Sequence, residues 1–243
     1  MLPLSAPDAA VISTATTNTG PTAILTTTVP TATVTTKSAT CSSLFTYSNE
    51  QKENMPTAMQ PKHQLQNSWT FWFYKHDKTK AWDQNLLEIT TFSTVEDFWA
   101  LYNHIELVSH IPQGCDYCVF KKGVKPMWED PANVNGGRWL ISMNKQSRAQ
   151  ELDNSWLELL LLLIGEGFEE QCDDICGAVV NVRQKGDKIS LWTANANSKD
   201  ANIAIGRMMK QRLHMGPQAV IGYNSHEETS QKHSSATKPK YTV

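Results

Sequence analysis

No apolar run in this chain is long enough to span a bilayer; the longest, residues 157–164, is interrupted by Glu158. The chain start has neither the basic opening nor the apolar middle of a secretory leader, so an intracellular, reducing compartment is expected. Strong net charge is also missing: 22 Lys and Arg stand against 24 Asp and Glu, for a net charge of −2 at pH 7. A protein that gripped nucleic acid through its phosphates alone would be more basic. Any nucleic-acid role must therefore rest on a local cationic patch and on recognition of bases. Cysteine is scarce and odd in number, at five, which fits free thiols better than a disulfide framework. The pairs Cys115-x-x-Cys118 and Cys172-x3-Cys176 have the spacing of a zinc module, but no histidines cluster near them. Cys176 also opens the apolar run 176–180, like a small core residue. No metal or cofactor is expected. The first forty residues nearly lack charge and aromatics and are crowded with Thr, Ala, Ser and Pro. Such a composition buries too little apolar surface to offset chain entropy. Residues 1–62 are thus expected to form a disordered tail, and residues 63–243 the folded domain.

What is present is tryptophan, and all eight lie between Trp69 and Trp192. The aromatic run 69–74 reads as a strand, and 86–92 as a second. In Ser93-Thr94-Val95-Glu96-Asp97, a Ser or Thr followed three residues later by an acid is a capping box that opens a helix running to about residue 104. Residues 118–122 and 138–144 are further strands. Asp153 should cap a second helix ending at Gly165 or Gly167. Ser198 should cap a third, with apolar positions Ala201, Ala204, Ile205, Met208 and Leu213. Residues 178–183 and 188–193 flank a turn and form a hairpin, and 219–223 make a short strand. The last twenty residues are polar and expected to be mobile. Strands and helices mix without βαβ alternation, which favours an α+β fold built on an antiparallel sheet.

Three segments carry chemistry. In Pro126-Met127-Trp128-Glu129-Asp130, a large flat ring sits beside a carboxylate, so a flat heterocycle could be held by its face and its donor edge together. Trp82 stands in a polar stretch, where core packing gives it little reason to be. Each ring taken alone is equally at home under a loop or on a strand; together they could sandwich a base. Strand alternation divides the hairpin into an apolar face, Val180, Val182, Ile189 and Leu191, and a polar one, Asn181, Arg183, Lys188, Ser190 and Trp192. The polar face could be merely solvated. A tryptophan beside Arg and Lys also makes a platform for an anionic ligand with an aromatic part, Arg183 gripping phosphate oxygens bidentately and Lys188 adding a point charge.

These segments, with Gly136-Gly137-Arg138-Trp139, residues 176–183, Gly186-Asp187-Lys188-Ile189, Trp192-Thr193, Asp116-Tyr117 and residues 94–99, resemble the motifs of the eukaryotic translation initiation factor 4E family, the mRNA cap-binding proteins. The resemblance covers roughly residues 63–243. It implies a curved antiparallel sheet with three helices on its convex face and a slot on the concave face for the 7-methylguanosine triphosphate cap. Trp82 and Trp128 would stack on the two faces of the methylated base, which carries positive charge. Glu129 would accept hydrogen bonds from the base's N1 and exocyclic amine, the Trp128 backbone N–H would meet its oxygen, and Trp192 would touch the methyl group. Arg183, Lys188, Arg138 and, in a flexible C-terminal loop, Lys232 would hold the phosphates.

On the convex side the resemblance implies a groove for a partner helix carrying a Tyr-x4-Leu-apolar motif, found in the scaffold factor 4G and in inhibitory 4E-binding proteins. Its residues would be His63, Val95, Trp99, Leu157, Glu158 and Leu161. His63-Gln64 stands where the family usually has His-Pro, and Leu159 and Leu162 are more apolar than usual. The implied protein is a translation initiation factor, not an enzyme. It would be cytoplasmic, with room for a nuclear fraction, and would act as a monomer within a larger initiation complex. The leading alternative is a cap-binding repressor that does not engage the scaffold. Cap hydrolysis would require a metal-binding carboxylate cluster, and Glu169-Glu170 and Asp173-Asp174 read better as a solvated face.

Overall fold

A computed structural model describes residues 61–143, 151–232 and 238–243. The Thr-rich tail expected over residues 1–62 lies almost wholly outside the described residues. Eight strands form one curved sheet: β1 (Gln64–Lys75), β2 (Leu86–Thr94), β3 (Cys115–Lys121), β4 (Gly137–Met143), β5 (Ile175–Asn181), β6 (Asp187–Thr193), β7 (Gly222–Ser225) and β8 (Tyr241–Thr242). Their order is β2-β1-β3-β5-β6-β4-β7-β8, and every neighbouring pair is antiparallel. The helices are α1 (Val95–Tyr102), α2 (Asp153–Ile164), α3 (Lys199–Arg212) and the short α4 (His226–Lys232).

Period-two alternation sorts the strand residues onto two faces. Trp69, Phe71, Tyr117, Val119, Val180, Ile189, Leu191 and Trp139 join Phe98 of α1, Trp156 of α2 and Ile205 and Met209 of α3 in the main core. That face is the helix-covered one. The alternate residues Cys118, Phe120, Val179 and Trp192 form a smaller cluster on the other face. Cys115 belongs to the first cluster and Cys118 to the second, so the strand aims the two sulfurs of the C-x-x-C pair to opposite sides.

Thr94 caps α1, accepting from Asp97 N at 3.1 Å. Asp153 does not cap α2. Leu152 occupies that position, and the Asp153 carboxylate instead accepts from Ser109 N (2.9 Å) and Ser109 Oγ (2.5 Å), tying down the connection after α1. α2 stops at Gly165, as expected. Ser198 does cap α3 by position, but through its backbone.

The buried stripe of α3 is Asn202, Ile205, Gly206 and Met209, rotated from the expected one because a polar residue is its anchor. Asn202 meets Thr193, Asn195 and Ser198, and its carbonyl accepts from Trp139 Nε1 at 3.0 Å. Gly206 permits the approach: a Cβ there would lie 2.4 Å from the Trp139 ring. The strand expected over 219–223 begins later, at Gly222, and Val220 is exposed. Part of the C-terminal stretch read as mobile is ordered: β8 pairs with β7, and α4 follows β7 directly.

Candidate ligand cleft

The non-helical face of the sheet carries a cleft of about 390 Å³ lined by Tyr74, Trp82, Asp116, Trp128, Glu129, Arg138, Asn181 and Trp192, among others. Trp82 and Trp128 are 47 % and 39 % exposed, whereas Trp69, Trp139 and Trp156 are buried. Exposed indoles at the mouth of a concave site contribute stacking surface rather than core packing.

Trp128 is presented by a loop that Asp130 and Asn133 tie together. The Asp130 carboxylate accepts from Lys125 N (3.0 Å) and Ala132 N (2.9 Å), and Asn133 Nδ2 donates to the carbonyls of Lys125 (2.9 Å) and Met127 (2.8 Å). Neither residue was singled out for this role by the sequence; the Asp130-Pro131 dipeptide, a turn-opening pair, was the available signal. Trp128 Nε1 donates to Glu129 Oε1, so ring and carboxylate are coupled in this structure. Trp192 forms part of the floor. It packs edge-on against Phe120, with centroids 5.4 Å apart, and lies 4.1 Å from the ring of His226.

Of the expected phosphate-side cations, Arg138 lines the cleft, while Arg183 and Lys188 lie beside it, next to the lining residues Asp116 and Asn181. The register places Asp116 opposite Asn181 and Asn181 opposite Lys188, while Arg138 pairs with Trp192. Arg183 follows β5 and grips Asp116 with both terminal nitrogens, Nη2 to Oδ2 at 2.8 Å. Burial pushes the Asp116 carboxyl up, against the lowering pull of Arg183. Burial pulls the Lys188 ammonium down, and the charges of Arg138 and Arg183 pull it further. A cationic group held below its ordinary value by burial and by like-charged neighbours gains from an anion placed beside it. Lys232 is the last residue of α4; its side chain lies outside the described residues.

His226 is 2 % exposed, and its Nε2 has no hydrogen-bond partner among the described residues. Burial, and then the charge of Arg138, push its imidazolium down to about 3. An unfolded histidine titrates at about 6.5. The folded state therefore binds the proton less well, and stability present above that value is lost as pH falls through the window down to about 3. Each pH unit in the window costs up to about 1.4 kcal/mol from this group. Urea unfolding at pH 7 and pH 5 should show a smaller pH slope for His226→Gln than for the native protein.

The helix-covered face holds the residues expected to meet a partner. Val95 is 36 % exposed; Trp99, Leu157 and Leu161 are half-buried against the main core; Glu158 and His63 are exposed. The His63 carbonyl accepts from Val95 N at 2.9 Å, and its ring meets Glu96 at 2.6 Å, fixing the start of β1 to α1. Leu159 and Leu162 are buried, so their apolar character serves the core. The acidic pairs at 169–170 and 173–174 do not line the cleft.

The sequence profile described as Eukaryotic initiation factor 4E matches residues 64–241. Human eukaryotic translation initiation factor 4E is 57 % identical over 182 residues, 75 % of this chain and 84 % of the relative. Factor 4E-1A of Danio rerio is 53 % identical over 197 residues, 80 % of this chain and 92 % of the relative. Among solved structures, the complex of C. elegans eIF4E-3 with the 4E-binding protein Mextli and cap analog superposes with a TM-score of 0.70 at 47 % identity, covering 75 % of this chain and all of that one. Ascaris suum eIF4E-3 with m7G cap gives 0.71 at 49 % identity, covering 75 % of this chain and 98 % of that one. A profile match across most of the chain, relatives above half identity and the same sheet architecture agree: this chain belongs to the eukaryotic initiation factor 4E family.

Proposed function

We propose that this protein binds the 7-methylguanosine cap of mRNA in the concave cleft and, through its helical face, recruits the scaffold factor 4G to begin cap-dependent translation. The observation that carries the reading is the convergence in one cleft of two exposed tryptophans, a carboxylate and Arg138, with Lys188 and Arg183 close enough to Arg138 to share its field. Relatives of 49 % and 47 % identity bind m7G cap and cap analog in their solved structures. Methylation at N7 gives the base a positive charge. Stacked between Trp82 and Trp128, that charge gains a cation–π attraction that an unmethylated guanine lacks. Glu129 takes the base's N1 and amine hydrogens, exchanging its bond with the Trp128 indole for two charge-assisted bonds. Arg183 meets the phosphates from a position fixed by Asp116, and Lys188 and Arg138 add charge beside it. The chemistry is recognition; no bond in the ligand is made or broken.

The direct test is titration of the purified protein with methylated and unmethylated guanosine triphosphate, followed by intrinsic tryptophan fluorescence. The methylated analogue should quench emission and bind more tightly; equal affinities would remove the cation–π argument.

A second experiment separates the two ends of the ligand. Each phosphate contact adds to the salt dependence of binding. Arg183→Ala and Lys188→Ala should therefore flatten the plot of log affinity against log salt, whereas Glu129→Ala should weaken binding at every salt concentration and leave the slope unchanged. A native slope in the Arg183 variant would show that Arg183 does not meet phosphate.

The partner side draws on the same relatives. C. elegans eIF4E-3 is seen with Mextli, and a schistosome eIF4E with m7GpppA and 4E-BP. Inhibitory proteins with the Tyr-x4-Leu-apolar motif would compete with the scaffold for Val95, Trp99, Leu157, Glu158 and Leu161, with His63 at the edge.

A further inference from the structure

Trp82 is the most exposed of the cleft's aromatic rings. It lies between β1 and β2, where every residue of 75–84 except Asp77 is exposed. The backbone of this connection is well tied. Asp77 Oδ1 accepts from Thr79 N (2.9 Å) and Thr79 Oγ1 (2.6 Å), the buried Asn85 donates from Nδ2 to the Asp77 carbonyl (3.0 Å), and Asn85 N donates to the Trp82 carbonyl (3.1 Å). None of these bonds touches the indole.

The ring's aromatic neighbour among the described residues is Tyr74, with centroids 5.6 Å apart and planes 29° apart. Tyr74 is 7 % exposed, in β1 between Leu86 of β2 and Asp116 of β3, so it cannot move without the sheet. Its hydroxyl shares a hydrogen bond with His76 Nδ1 at 3.2 Å, and the rings of Tyr74 and His76 stack at 6.4 Å. Imidazole, phenol and indole therefore follow one another in a row whose middle member, Tyr74, is fixed on β1, with exposed His76 just past the strand on one side and Trp82 at the cleft mouth on the other.

We propose that Tyr74, its hydroxyl tied to His76, is a positioning residue that holds the Trp82 ring ready before any ligand arrives. The gain is entropic, and the role rests on the reading of the cleft as a site for a flat cationic base. An exposed tryptophan samples several rotamers, and a ligand that must immobilise it binds less tightly for doing so. Tyr74 covers one face of the indole in advance and leaves the other for the ligand. Losing an aromatic pair of this kind corresponds to about two- to tenfold in affinity.

Because Tyr74 also lines the cleft, loss of affinity alone would not separate positioning from direct contact. A double-mutant cycle does. Affinity for 7-methylguanosine triphosphate is measured in the native protein, Tyr74→Leu, Trp82→Ala and the double variant. Tyr74→Leu should weaken binding about three- to tenfold when Trp82 is present and hardly at all when it is absent. An equal loss in both backgrounds would show that Tyr74 acts by its own contact and would overturn the proposal. A ligand-free measurement runs beside it: acrylamide quenching of Trp82, taken as the difference between each protein and its Trp82→Phe counterpart, should rise in Tyr74→Leu. Unchanged quenching would also overturn the proposal. Should Tyr74→Leu fail to fold, Tyr74→Phe keeps the ring, removes the tie to His76, and should move both readouts in the same direction by less. If quenching rises as expected but the native protein does not bind the methylated analogue, the cap reading fails and the positioning role stands.

Discussion

Replacing Trp128 with alanine should weaken binding of a methylated cap analogue by about 1–3 kcal/mol, and replacing Trp82 should do the same, since each would remove one stacking face. Folding stability should hardly change, because Trp128 is 39 % exposed and outside both hydrophobic clusters. Trp128→Ala also removes the partner of the Glu129 carboxylate, so its effect should be coupled to that of Glu129→Ala rather than additive. Calorimetric titration of both single variants and the double variant checks this. The loss should be smaller for unmethylated guanosine triphosphate, which never had the cation–π contribution. If Trp128→Ala binds methylated analogue as the native protein does, the sandwich is wrong, whatever else the cleft holds.

Trp99→Ala should abolish binding of the scaffold factor and of inhibitory proteins while cap affinity stays near native. Trp99 is half-buried on α1 against the main core, whereas the cleft residues occupy the alternate face of the sheet. Truncating a central aromatic of an interface typically costs about 2 kcal/mol or more. The ring also packs against Phe98, with centroids 5.1 Å apart, and Tyr102, at 5.9 Å, so some folding stability will be lost as well. Cap affinity is the control that separates the two effects. In cells depleted of the general factor, the native protein should restore a cap-dependent reporter and Trp99→Ala should not. If the native protein binds cap yet fails to restore the reporter, and Trp99→Ala behaves identically, the protein acts as a repressor by occupying mRNA ends.

The cleft's tryptophans were legible because their surroundings were wrong for burial. Trp82 among charged residues and Trp128 beside Glu129 announced themselves, and both line the cleft. The hairpin was legible for another reason: a strict period of two leaves only one way to divide Val180, Val182, Ile189 and Leu191 from Asn181, Lys188 and Trp192. Asp153 was misread because the same carboxylate that could cap its own helix finds Ser109 once the chain has folded back. β7 was placed early because its actual residues include Asn224 and Ser225, which have poor strand propensity. Pairing with Arg138 and Gly137 of β4 decides their conformation, and no local pattern encodes that.

The sequence by itself determined the elements whose signals are local: the aromatic first strand, the capping box at Ser93-Thr94, the two-faced hairpin and the exposed ring-plus-carboxylate at Trp128 and Glu129. It also determined the family, through motifs spread along the domain. Only the tertiary structure decided which of these residues share a cleft, that Asp116 occupies Arg183, that Asn202 anchors α3, and that Tyr74 and His76 stand behind Trp82. The reason is range. Propensity, alternation and capping act over a few residues, whereas strand order and register bring together groups dozens of positions apart, and a polar side chain takes the partner that burial leaves it.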